Sequence, residues 1–82
     1  MERLTKKGAD GWRLVGGVEE ATAKLAAYEE MQQALLAERE AAITRLERLR
    51  AEGKTKSVTF QQLLSEKLML TNLIERFSLW GL

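Results

Sequence analysis

Ala51-Glu52-Gly53-Lys54-Thr55-Lys56-Ser57-Val58-Thr59-Phe60 separates two stretches of helical periodicity, and its reading decides the fold. Gly53 provides a residue able to take the left-handed conformation that commonly closes a helix. The linker Lys54-Thr55-Lys56-Ser57 is short and polar, and such connections join antiparallel helical neighbours. Thr59 followed three residues later by Gln62 reads as a capping box, with Val58 placed to staple onto Leu63. The second helix is therefore predicted to open at Phe60.

Upstream, no Gly or Pro interrupts the chain from Val18 to Glu52. Apolar residues recur there at Val18, Ala21, Leu25, Tyr28, Leu35, Ala42, Leu46 and Leu49, in the three-and-four spacing of a helix seam of coiled-coil type. Glu19 and Glu20 fall in the first turn, and Arg45, Arg48 and Arg50 near the end, so both charge groups complement the helix macrodipole. Glu20 and Lys24 add a favourable acid-before-base pair one turn apart. Downstream, Phe60, Leu63, Leu64, Leu70, Ile74 and Phe77 share one face of a helix that ends near Trp80, ahead of Gly81. The pattern predicts an all-α fold: an antiparallel helical hairpin with a long helix over about 18–52 and a shorter one over about 60–80.

Residues 1–17 carry four of the six glycines and show no helical period. Asp10-Gly11 is a favoured turn dipeptide, and Trp12-Arg13-Leu14-Val15 can extend beside it. Two readings stand: a flexible leader, or a small ribbon whose Trp12 and Leu14 dock on the helices or on a neighbouring subunit. A two-stranded ribbon is not stable unaided. The expected organisation is an N-terminal arm over 1–17 and a helical hairpin over 18–82.

The full sequence has 82 residues, enough for one domain that leaves much of its surface wet. Domains of this size draw extra stability from disulfides, a structural metal or a partner subunit. With no Cys and no His, the first is excluded and the second disfavoured, which leaves association. No leader-like apolar stretch opens the chain, and nothing approaches the roughly 18 apolar residues of a membrane span. A cytoplasmic protein without membrane attachment is expected. Thirteen Lys and Arg stand against twelve Asp and Glu, so no overall field draws in a polyanion.

Helix length and pattern argue separately for self-association. At about 1.5 Å per residue the long helix spans about 50 Å and the short one about 32 Å, so they cannot cover one another. Leu25, Tyr28 and Met31 are expected to overhang. On the short helix, Met69, Leu73 and Trp80 flank the main apolar arc, and Leu68 and Leu79 lie almost opposite it. A homodimer or homotetramer, built as a shared helix bundle, would bury what one hairpin cannot. The candidate interface residues are Leu25, Tyr28, Leu35, Leu46, Met69, Leu73, Phe77 and Trp80. Gln32 and Arg39 fall at seam positions, where polar residues can set register and copy number.

Nothing in the sequence points to catalysis. Gly53-Lys54-Thr55 resembles the end of a phosphate-binding loop, but Arg48 stands where the earlier glycine is needed, and a helix precedes it instead of a strand. Glu19-Glu20 and Glu29-Glu30 are adjacent and diverge by about 100° on a helix, unlike a converging acid pair. No cofactor or metal site is expected, and the chain is read as a non-enzyme. Between Arg39 and Lys56, six bases meet three acids, and Arg45, Arg48, Arg50, Lys54 and Lys56 form the candidate surface for nucleic acid.

Met1-Glu2-Arg3-Leu4-Thr5-Lys6-Lys7, Leu25-Ala26-Ala27-Tyr28-Glu29 and the stretch 49–67 resemble small uncharacterised proteins of bacteriophages and prophages of Gram-positive bacteria. The resemblance implies an accessory phage origin in a bacterial host cell, and it transfers no functional residue. Two functions are carried forward. The first is a non-catalytic structural or interaction protein that self-associates and can engage a further, unidentified protein. The alternative is a small nucleic-acid-associated factor using the basic patch.

Overall fold

A computed structural model of the protein describes residues 2–82, with elements in the order β1 (Thr5–Gly8), β2 (Gly11–Leu14), α1 (Val18–Ala51) and α2 (Val58–Leu79). Met1, part of the arm expected over 1–17, lies outside the described residues. The chain divides into two compact units, Met1–Glu30 and Met31–Leu82, with α1 contributing to both.

In the first unit the Gly-rich arm is an antiparallel ribbon in which Thr5 pairs with Leu14, Lys6 with Arg13, Lys7 with Trp12 and Gly8 with Gly11. Ala9 and Asp10 both keep negative φ, and Gly11 takes φ +111°, outside the range that a side chain tolerates well. The left-handed residue thus comes after the two-residue turn, and the strands recover their twist there. Val15 N–H donates to the Leu4 carbonyl at 2.7 Å and extends the pairing beyond β2. The Arg3 guanidinium lies 4.9 Å from the centre of the Trp12 ring, a cation–π contact that holds the first strand's approach against the second. Lys24 of α1 donates from Nζ to the Glu2 carbonyl at 2.6 Å, so ribbon and helix are tied within this unit.

The second unit is the antiparallel hairpin. α1 ends one residue short of the expected boundary, in two backbone bonds that define a Schellman motif: Lys54 N–H to Leu49 O at 2.8 Å and Gly53 N–H to Arg50 O at 3.1 Å. Gly53 takes φ +72°, the conformation that this motif requires. α2 ends in the same way, with Leu82 N–H to Phe77 O at 2.8 Å and Gly81 N–H to Ser78 O at 3.0 Å.

The start of α2 corrects the expectation. Ser57 is the N-cap, not Thr59: its backbone is extended (φ −73°, ψ 154°) and its hydroxyl accepts from Phe60 N–H. That bond measures 3.1 Å, and the same Oγ donates to Lys54 O at 2.8 Å. Thr59 lies inside the first turn and Val58 is exposed, so neither the capping box nor the staple forms. The physical reason lies upstream. The Schellman turn at Gly53 places the Lys54 carbonyl within reach of Ser57, and a hydroxyl bonded on both sides fixes the entry two residues early.

Leu35, Ala42 and Leu46 of α1 are buried in this unit with Phe60, Leu63 and Leu70 of α2. Leu46, Phe60 and Leu63 form the centre, with Leu49 and Leu64 packed against them. Arg50 reaches over the edge of that cluster, its guanidinium 5.9 Å from the Phe60 ring centre. At the other end, Gln32 donates from Nε2 to the backbone oxygen of Leu82 and joins the end of α2 to α1. Gln32 therefore meets a partner inside its own hairpin. Arg39, the other polar seam residue, is half-buried, and its buried Nε has no hydrogen-bond partner among the described residues.

Candidate interaction site

The expected interface residues divide into two groups. Leu35 and Leu46 are buried inside the hairpin, and Phe77 is half-buried, so these serve the fold of a single chain first. Leu25, Tyr28, Met69, Leu73 and Trp80 are exposed. Trp80, the C-cap of α2, is 80% exposed and its neighbour Leu79 81%. Scattered apolar residues are ordinary on a protein surface. Here they recur along α2 outside its buried arc, with Met69, Leu73 and Trp80 on one shoulder and Leu68 and Leu79 on the other.

The basic residues span the last turns of α1 and the linker to α2. At 100° per residue, Arg48 and Arg50 point to nearly opposite sides of α1. Arg50 is turned toward the Phe60 ring. Lys54 is in an ion pair with Glu52 at 3.1 Å, where both side chains are largely exposed, so that pair contributes little to stability. Lys56 borders a shallow groove of about 420 Å³ with Val58, Gln61, Gln62 and Ser65, apart from the arginines in the chain. Arg45 and Arg48, three positions apart, are neighbours on α1, and the five residues share one chain segment.

A further feature in the first unit was not legible beforehand. Ala21, Lys24, Leu25 and Tyr28, one stripe of α1, form a wall of an open cleft of about 420 Å³ that the ribbon completes with Leu4 and Leu14. Arg3 and Lys24 bring two cations to it. Arg3 is engaged by the Trp12 ring and by Thr5 Oγ1 at 3.4 Å, and Lys24 by the Glu2 carbonyl; among the described residues neither meets a carboxylate. No local motif announces this site. Arg3 and Lys24 are 21 positions apart, and only the ribbon's return brings them to one cleft.

No helix is long and apolar enough to cross a membrane, and no cluster of three or more acidic side chains able to hold a metal ion gathers among the described residues. Comparison with family models, with curated proteins and with solved structures finds no match to this chain. The class that fold and surface define is a helical hairpin with an N-terminal ribbon and uncovered apolar faces.

Proposed function

We propose that the protein is a non-catalytic interaction module that works as a homo-oligomeric helix bundle. The observation that carries this reading is the exposure of Leu25, Met69, Leu73, Leu79 and Trp80 in a chain with six buried apolar side chains among the described residues. Burying a large apolar side chain fully contributes about 1.5 to 3 kcal/mol. Four or five left in water would forfeit a sum comparable to the roughly 5 to 15 kcal/mol stability of a whole domain. Association recovers part of it. A second copy is the partner always present at equal concentration, and a two-fold arrangement covers the same faces on both chains. An accessory phage or prophage role, as the sequence resemblance implies, belongs to the same proposal.

Sedimentation equilibrium from micromolar to millimolar concentration tests the reading. A mass of two or four chains is expected across most of that range. A single-chain mass at every concentration would overturn it.

A further inference from the structure

We infer that α2 pairs with the α2 of a second copy, antiparallel about a two-fold axis at the level of the Leu70–Thr71 peptide. This deepens the self-association reading and rests on it. A helix side that faces water is normally charged, and the exposed side of α1 in the hairpin carries Glu38, Glu40, Arg45, Glu47, Arg48 and Arg50. α2 is different. Opposite its buried arc, at 100° per residue, runs a strip of Gln62, Ser65, Met69, Asn72, Arg76 and Leu79, all exposed, with Arg76 its single charge. Leu68 on one flank and Leu73 and Trp80 on the other are exposed as well. Charge depleted while large apolar side chains are kept is the composition of a surface that protein covers.

Spacing and charge together select a second copy as the occupant. The steps along the strip are three, four, three, four and three residues, the alternation of a helix seam, and they read the same in both directions. Reversed, the strip meets itself layer by layer: Gln62 with the partner's Leu79, Ser65 with the partner's Arg76, and Met69 with the partner's Asn72. The one charge fixes the direction. Parallel copies would set Arg76 against the partner's Arg76, two cations withdrawn from water together. The antiparallel register sets it against the partner's Ser65, with the partner's Glu66 beside it on the strip's flank. Neither Glu66 nor Arg76 has an ion pair or hydrogen bond among the described residues. The two-fold axis makes the Arg76–Glu66 pair twice and closes the contact on itself. Every residue of the contact comes from one helix, so its geometry follows from the period of α2 alone.

Cysteine pairing reads the register directly, because the chain has no cysteine of its own. In the antiparallel register the two copies of Gln62 lie about 25 Å apart at roughly 1.5 Å per residue, beyond the roughly 4.4 to 6.8 Å between the Cα atoms of a disulfide. Under mild oxidation a mixture of the single variants Q62C and L79C is expected to give the mixed disulfide, and neither variant alone to give its own. Charge reversal, read by sedimentation equilibrium of the full chain, is the second measurement. Glu66→Arg and Arg76→Glu are each expected to weaken self-association about tenfold, and the double variant to regain most of it. Arg76→Glu also removes a base from the last turn of α2, where it favours the helix end, so its circular dichroism is compared with that of the wild type; Glu66→Arg lies in mid-helix and leaves both termini as they are. With a wild type that associates, a disulfide within either single sample, the absence of the mixed disulfide, or unchanged association of Glu66→Arg would each overturn the inference while leaving self-association intact. A single-chain wild type would remove both.

Discussion

At Ser57 one hydroxyl accepts from Phe60 N–H and donates to Lys54 O, and so closes the loop and opens α2 at once. Removing an N-cap side chain of this kind costs about 1 kcal/mol, whereas a threonine inside the first turn contributes little. Ser57→Ala should therefore lower the urea midpoint clearly and Thr59→Ala should leave it nearly unchanged, the reverse of what the capping-box pattern predicts. Chemical denaturation of the two variants side by side decides between them. The pattern misled because Ser57 and Thr59 stand two residues apart and either can cap. What separates them is the backbone of Ser57, extended at ψ 154°, and that depends on how the chain leaves Gly53.

The helices themselves were largely legible. α1 was expected over about 18–52 and runs from Val18 to Ala51, because no glycine interrupts it and Gly53 ends it. α2 starts two residues earlier than expected and stops where Gly81 takes a positive φ. The seam of α1 was legible as a pattern, but the occupation of its polar positions was not. Gln32 bonds to the Leu82 oxygen from the far end of the other helix, a partner 50 residues away. Arg39 has a buried Nε with no partner among the described residues, and a buried donor left unsatisfied costs roughly 1 to 3 kcal/mol. Arg39→Met keeps the apolar stem and removes that donor, so it should stabilise the hairpin by about 1 kcal/mol in urea unfolding. If Arg39 instead fixes copy number across the seam, light scattering of the same variant will show a changed mass.

For the whole molecule the deciding quantity is how much apolar surface one chain can hide. Folding linked to association makes stability depend on protein concentration, so the melting temperature should rise by several degrees over a hundredfold increase in concentration. Differential scanning calorimetry at the two ends of that range checks it, and a constant midpoint would mean that melting is not coupled to assembly. The sequence alone determined the two rods, their break at Gly53, a turn beside Asp10-Gly11 that the structure centres on Ala9 and Asp10, and the surplus of apolar positions, because helix period, turn residues and charge placement are local properties read within a few residues. Only the tertiary structure decided that the arm is a ribbon, that Leu35 and Leu46 are spent inside the hairpin while Leu79 and Trp80 are not, and that Arg3 and Lys24 share a cleft. Those outcomes depend on which distant segments meet, and no local pattern encodes the meeting.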